Sequence, residues 1–145
     1  MTAKTVAQLM TANPLFVRRE QSLKDAHDLM RSKNIRHIPV LDQQDKLVGV
    51  LTQKKMIATV MGLLAKYGTS AMERKEKQQL IGELMDTDFA TVQPDQPLQQ
   101  VISYFLKNKH GCLPVVDSED NLLGILTSSD FVRLAGDLLA GGDKE

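Results

Sequence analysis

Two seven-residue segments share a Gly, an apolar residue, a Leu and a Thr in the same order, and they end in opposite charges. The segment GILTSSD occupies residues 124–130, and the segment GVLTQKK occupies residues 49–55. The later copy ends in Asp130 and the earlier copy ends in Lys55. An ionised carboxylate only accepts hydrogen bonds, whereas a lysine ammonium only donates them. The two copies therefore offer opposite chemistry at equivalent positions.

The offset that carries Gly49 onto Gly124 relates positions along most of the chain. The alignment needs no gap, and a fixed period of this length indicates two copies of one structural unit. Identical residues recur at Leu9 and Leu84, Met10 and Met85, Val17 and Val92, Pro39 and Pro114, Asp45 and Asp120, and Thr52 and Thr127.

Each copy is predicted to run strand, helix, strand, strand, helix. In the first copy Ser22 and Asp25 form a capping-box pattern, and Ala26 and Met30 follow at helical spacing. In the second copy Pro97 opens the helix, because a proline at the first helical position loses no hydrogen bond. The short runs that precede these helices as predicted strands are residues 15–17 and 89–92.

A predicted hairpin and a second helix complete the first copy. Residues 38–41 and 47–52 are rich in Val, Ile and Leu, and the polar residues 42–45 between them predict a turn. The helix that follows is more apolar than an exposed helix requires, so we expect its apolar face to meet the other copy or a second chain. That face consists of Met56, Ile57, Val60, Met61 and Leu64.

The overall composition disfavours several classes of partner. The 18 basic and 18 acidic residues balance, so no global attraction to nucleic acid or an anionic membrane is expected. No apolar run approaches the roughly 18 residues that a membrane span needs.

Cys112 is the single cysteine, and its apolar neighbours predict an inert buried thiol. We therefore expect a cytoplasmic protein.

A charge-rich segment separates the two copies. The run AMERKEKQQL at residues 71–80 predicts a solvated helix or linker. We accordingly predict a first repeat at residues 1–67, a linker or helix at 68–80, a second repeat at 81–140, and a flexible tail at 141–145.

Both copies resemble the CBS domain, the module first named from cystathionine beta-synthase. The first copy carries LMTANPLFV, SLKDAHDLM, IRHIPVLD and KLVGVLT, and the second carries LMDTDFATV, PLQQVISYF, HGCLPVVD and NLLGILTSSD. The resemblance extends from Val6 to Val132. It implies an α+β fold in which two β-α-β-β-α CBS repeats pack pseudo-symmetrically as a Bateman module, with their sheets face to face. It also implies that adenine nucleotides or related adenosyl ligands bind in clefts between the repeats.

An adenosyl ligand presents a ribose diol, and a nucleotide adds a phosphate. One carboxylate can accept from both ribose hydroxyls, so Asp130 is the predicted ribose-binding residue, beside the hydroxyls of Thr127 and Ser129. The alternative is that Asp130 only caps the last helix. Arg36 is the predicted phosphate partner, because its planar fork suits a phosphate. By matching position, the resemblance adds Leu15, Ile35, Gly111 and Ile125 to this cleft.

The second cleft that the resemblance implies contains Lys55, which cannot hold a ribose diol as Asp130 does. This cleft is predicted to be empty, or to hold an anion or a polyphosphate tail; the alternative is that Lys55 is a solvated surface lysine. The histidines lack the tight spacing of a metal site, so none is predicted. The candidate residues of this cleft are His37, Thr52, Lys54, Lys55, Ala90 and His110.

The favoured function is a stand-alone regulatory module that requires no cofactor and has no catalytic residue. Its regulatory ligand would be AMP, ADP, ATP, S-adenosylmethionine or a dinucleotide, and phosphorylated ligands are favoured. The module would act as a homodimer on an unidentified protein target. One alternative is an interaction or scaffold protein that has lost nucleotide binding. An enzyme is disfavoured, because the sequence lacks a GxSxG elbow, a phosphate-binding Walker loop, an HExxH motif and a paired-carboxylate signature.

Overall fold

The computed structural model describes residues 3–107 and 111–141 and divides the chain into two compact units. The first unit comprises Leu15–Phe89. The second unit comprises the N-terminal segment to Pro14 together with the chain from Ala90 onward. The second unit therefore contains a segment that precedes the whole of the first unit in the sequence. The compact units do not follow the order of the sequence, so their borders do not test the predicted borders of the repeats. Those repeat borders stay a prediction.

The first unit contains three α-helices and a three-stranded sheet in the order β2 (Val17–Arg18), β3 (His37–Leu41), β4 (Leu47–Thr52). Strand β2 runs parallel to β3, and β3 and β4 form the predicted antiparallel hairpin. The predicted capping box is confirmed: Asp25 N donates to Ser22 Oγ at 3.3 Å, and Ser22 N donates to Asp25 Oδ2 at 3.1 Å. The elements are β2 (Val17–Arg18), α2 (Leu23–Lys33), β3 (His37–Leu41), β4 (Leu47–Thr52), α3 (Gln53–Tyr67) and α4 (Met72–Gln78).

The prediction that residues 71–80 are simply solvated is wrong for one face of this segment. Helix α4 packs against α2 and α3, and its Glu76 is only 7% exposed. His27 Nδ1 lies 2.7 Å from Glu76 Oε1. Because an ionised carboxylate only accepts, the imidazole N–H is the donor. The ammonium of Lys75 lies 4.0 Å from the ring centre of Tyr67, which adds a cation–π contact between α4 and α3.

The apolar face predicted on α3 is divided between the core and solvent. Met56 is buried, and Val60 packs against the core of the first unit. Ile57, Met61 and Leu64 point outward and are 45%, 63% and 42% exposed. Met56 and Val60 therefore belong to the core of the first unit and not to a face that meets the other copy or a second chain. For Ile57, Met61 and Leu64 that expectation stays a prediction.

The second unit contains a three-stranded sheet in the order β1 (Thr11–Ala12), β6 (Leu122–Thr127), β5 (Cys112–Val116). Its hairpin β5–β6 repeats the register of β3–β4, and β1 from the N-terminal segment pairs antiparallel with β6. Of the predicted strand at residues 89–92, only Val92 makes a strand-like bridge, to Val115. The elements are α1 (Val6–Leu9), β1 (Thr11–Ala12), α5 (Leu98–Lys107), β5 (Cys112–Val116), β6 (Leu122–Thr127) and α6 (Ser128–Leu139).

Each unit has its own apolar core. The buried side chains of the first include Leu23, Ile38, Leu51 and Ile81, and those of the second include Val6, Leu98, Leu113 and Leu126. Among the described residues, no helix combines the length and apolar character that crossing a bilayer requires.

Candidate functional site

The junction between β6 and α6 brings together four of the predicted ligand-binding residues. Ser128 N donates to Gly111 O at 3.2 Å, and Cys112 pairs with Thr127 in the hairpin. Gly111 has a φ of +65°, a left-handed conformation that glycine adopts without a steric cost. The backbone thus places Gly111 beside the start of α6, where Thr127, Ser129 and Asp130 follow one another.

Asp130 is the most deeply buried acid of this junction, with a side chain only 4% exposed. Thr127 N donates to its Oδ2 at 2.8 Å, and the Thr127 hydroxyl lies 3.4 Å from the same oxygen. Arg133 Nη2 lies 3.1 Å from Oδ1. The capping interaction considered as an alternative from the sequence is therefore present, while the role of Asp130 toward a ligand remains a prediction.

Helix capping does not occupy every acceptor position of the Asp130 carboxylate. Two oxygens provide about four acceptor positions. Oδ2 accepts from Thr127 N and, at 3.4 Å, from the Thr127 hydroxyl, whereas Oδ1 accepts from Arg133 Nη2. Oδ1 thus retains an acceptor position, and the long contact with the Thr127 hydroxyl is the weaker of the two on Oδ2. The low polarity of a buried environment strengthens any further hydrogen bond made there.

The thiol of Cys112 lies in the same junction and is buried. Burial, reinforced by the negative charge of Asp130, raises the pKa of Cys112 to about 12. A thiol with this pKa is protonated at neutral pH and is a poor nucleophile. The sequence-based prediction that this thiol is buried is confirmed, and its inertness stays a prediction.

The equivalent junction of the first unit, between β4 and α3, repeats the backbone geometry with different side chains. Gln53 N donates to Arg36 O at 2.7 Å, and His37 pairs with Thr52. The Thr52 hydroxyl caps α3 by accepting from Lys55 N at 3.1 Å. The first turn of α3 contains no acidic residue. The structure therefore brings Arg36, His37, Thr52, Lys54 and Lys55 to one end of the first unit.

The remaining candidate residues are distributed over both units. Leu15 is 46% exposed and lies just before β2, and Ile35 packs against the core of the first unit. Ile125 is buried within β6, and Ala90 belongs to the second unit. The predicted residue His110 lies outside the described residues. Contact between these side chains and a ligand remains a prediction.

Comparison with known proteins identifies the repeated unit. The family model for the CBS domain matches residues 6–62 and 81–137. The chain belongs to the CBS domain family. This assignment confirms the resemblance found in the sequence and the α+β architecture of two repeats.

Solved structures of CBS pairs match almost the whole chain. A putative acetoin utilization protein (AcuB) from Vibrio cholerae is 35% identical with a TM-score of 0.79, covering 100% of this chain and 99% of that one. CBSX2 in complex with AMP is 30% identical with a TM-score of 0.76, covering 94% and 98%. The CBS domain pair of protein MJ0100, in complex with 5′-methylthioadenosine and S-adenosyl-L-methionine, is 27% identical with a TM-score of 0.72, covering 91% and 95%.

The curated relatives are longer proteins. Homoserine O-acetyltransferase from Methanocorpusculum labreanum is 31% identical over 128 residues, which are 88% of this chain and 23% of that protein. An uncharacterized protein from Methanocaldococcus jannaschii is 24% identical, over 90% of this chain and 42% of its own length. The CBS pair spans less than half of these relatives, so their names describe more than the shared region.

Sequence reasoning missed one residue of the β6–α6 junction. Arg133 contacts Asp130 and also donates to Leu9 O at 3.3 Å. Its position three residues after Asp130 on a helix is a signal that the sequence contains. The contact to Leu9 has no local signal, because it joins residues at opposite ends of the chain. Among residues 3–107 and 111–141, no group of three or more His, Cys, Asp or Glu side chains is arranged to hold a metal ion.

Proposed function

We propose that this CBS pair is a regulatory module that binds an adenosyl ligand, with AMP, ADP or ATP as the first candidates. The proposal rests on the buried carboxylate of Asp130, whose Oδ1 keeps an acceptor position beside the exposed residue Ser129. One carboxylate can accept from both hydroxyls of a ribose, and the second hydroxyl would replace the long contact of the Thr127 hydroxyl with Oδ2. The AMP complex of CBSX2 and the adenosyl complexes of the MJ0100 pair support this choice of ligand class.

Further ligand contacts are proposed from the family pattern alone. Leu15 and Ile35 would contribute apolar surface toward the base, and Arg36 would pair with a phosphate. The junction at Lys55 lacks a ribose acceptor, so we propose that it receives an anion or the end of a polyphosphate. Exposed Arg36, Lys54 and Lys55 supply positive charge there.

Regulation would follow from linkage. A ligand that binds one arrangement of the protein better than another shifts the population toward that arrangement, and a protein target that prefers the same arrangement then binds more tightly. We propose that this module acts on such a target in the cytoplasm and does not catalyse a reaction.

A homodimer is proposed on the outward stripe of α3. Ile57, Met61 and Leu64 follow one another at the spacing of one helix face, and each is at least 42% exposed. Met61→Glu should shift the sedimentation velocity of the chain toward the monomer, whereas Lys66→Glu on the same helix should not. A monomeric native chain would contradict this part of the proposal.

The ligand proposal is tested by thermal unfolding of the native chain and of Asp130→Asn with AMP, ADP, ATP, S-adenosylmethionine and NAD. A ligand at a hundred times its dissociation constant stabilises by about 2.7 kcal/mol. For a chain of this size each kcal/mol moves the midpoint by roughly 2–4 °C. We expect a shift with at least one ligand that Asp130→Asn reduces. Absence of any shift across the panel would leave an interaction or scaffold protein as the better description.

A further inference from the structure

The guanidinium of Arg133 contacts one oxygen of the Asp130 carboxylate, and the backbone of Thr127 contacts the other. Thr127 N engages Oδ2, and Arg133 Nη2 engages Oδ1 at 3.1 Å. With each oxygen held by a donor, the carboxylate cannot rotate about its Cβ–Cγ bond without breaking a hydrogen bond. These contacts set the orientation of the acceptor position that remains on Oδ1.

A second contact keeps Arg133 in place. An exposed ion pair between residues three apart on a helix is weak by itself, and the Arg133 side chain is 56% exposed. The same Nη2 atom, however, also donates to Leu9 O at 3.3 Å. Leu9 is itself held in the second unit, because Val6 N donates to Gln96 O at 3.0 Å and Leu9 is buried. The guanidinium is thus anchored at two points on a well-held backbone.

The first repeat lacks both members of this pair. In the alignment of the two repeats, Lys55 takes the place of Asp130 and Ala58 takes the place of Arg133. Helix capping does not require the arginine, since Thr52 caps α3 without one. The second repeat thus has both the acid and the arginine, and the first repeat has neither.

We propose that Arg133 is a positioning residue that orients Asp130 for the ribose diol of the ligand. This inference rests on the proposed function and concerns the ribose hydroxyls specifically. A residue that only stabilises α6 would affect the binding of all nucleotides alike. A residue that orients Asp130 should affect most the nucleotides that carry both ribose hydroxyls.

The test compares AMP with 2′-deoxy-AMP, which lacks one of the two hydroxyls, by isothermal titration calorimetry on the full chain. We expect Arg133→Ala to weaken AMP binding about ten-fold, or about 1.4 kcal/mol, and to weaken 2′-deoxy-AMP binding much less. Arg133→Lys should recover part of the loss, because the ammonium can still donate to Oδ1. In Asp130→Asn, adding Arg133→Ala should have little further effect, since residues that act through one another are not additive.

Arg31→Ala is the matched control. Arg31 also pairs with an aspartate three residues away, Asp28, at 3.5 Å on an exposed helix surface, and its removal should leave both affinities unchanged. Thermal unfolding of each variant establishes that it is folded before binding is measured.

Equal losses for the two nucleotides, or no loss in Arg133→Ala, would overturn the inference and leave the proposed function intact, provided that the native chain binds AMP and Asp130→Asn does not. No AMP binding by the native chain would overturn the inference. No binding to any ligand of the panel above would overturn the proposed function as well.

Discussion

Replacing Gly124 by alanine tests how closely the N-terminal segment packs on β6, and Gly49 provides a matched control in the first repeat. A Cβ atom at Gly124 would lie 2.5 Å from Met10 Sδ and 2.9 Å from the backbone oxygen of Thr11. A Cβ atom at Gly49 would lie 2.5 Å from Met85 Sδ, and its other close neighbours also belong to the Met85 side chain. A methionine side chain can move aside, whereas the Thr11 oxygen belongs to β1, which is paired with β6.

The expected difference follows from these contacts. Alanine gains about 0.4–1 kcal/mol over glycine by restricting the unfolded chain where the backbone allows it, and neither glycine has a positive φ. Overpacking costs roughly 1–3 kcal/mol when neighbours must shift. At Gly49 a rotamer change moves Met85 Sδ and Cγ away and leaves only the contact with Met85 Cβ at 3.0 Å, so the net cost should be small. At Gly124 the strain on β1 remains, so Gly124→Ala should be less stable than Gly49→Ala by about 1–2 kcal/mol.

Urea unfolding followed by circular dichroism measures both variants against the native chain. Combining Gly49→Ala with Met85→Ala should show a favourable coupling that removes most of the clash, whereas combining Gly124→Ala with Met10→Ala should remove only part of it. If Gly124→Ala were as stable as Gly49→Ala, the reasoning from the Thr11 oxygen would be refuted.

Three further predictions concern the cores and caps of the two units. The pKa of Cys112 rises from 9.0 to about 12 on folding, so the unfolded thiol ionises first as the pH rises. The contribution of Cys112 to stability should therefore be complete below pH 9 and be lost as the pH rises toward 12. Urea unfolding of the native chain and of Cys112→Ala at a series of pH values measures this loss. Glu76→Ala should lower stability by about 1–3 kcal/mol by leaving His27 without its carboxylate partner, whereas the exposed control Glu73→Ala should change it by less than about 0.5 kcal/mol; similar values for both would contradict the packing of α4. Ser22→Ala should cost about 1 kcal/mol through loss of the α2 cap, with a matching loss of helical circular dichroism on heating, and an unchanged midpoint would count against the cap.

The residues of the candidate site were largely predictable, because their chemistry depends on side-chain type and on the repeat. The alignment of the two copies located Thr127, Ser129 and Asp130, and the hairpin pairing places them beside Gly111 as expected. The hydrogen bonds that Asp130 makes were only partly predictable. From the sequence, capping and ribose binding were alternatives for Asp130, whereas in the structure the capped carboxylate still has an acceptor position on Oδ1.

Local interactions explain what the sequence by itself determined. The capping box at Ser22 and the turns of both hairpins depend on residues within a few positions of one another. Such contacts need little chain closure, so short patterns specify them well.

The tertiary structure alone decided which distant segments meet. Residues 3–14 complete the second unit, although they precede the first unit in the sequence, and Arg133 reaches Leu9 across almost the whole chain. Glu76 is buried in a segment whose composition predicts exposure. These outcomes depend on which surface buries the most apolar area and satisfies the most polar groups once the elements are packed. That balance is a property of the assembled units and has no signature in any short stretch of the sequence.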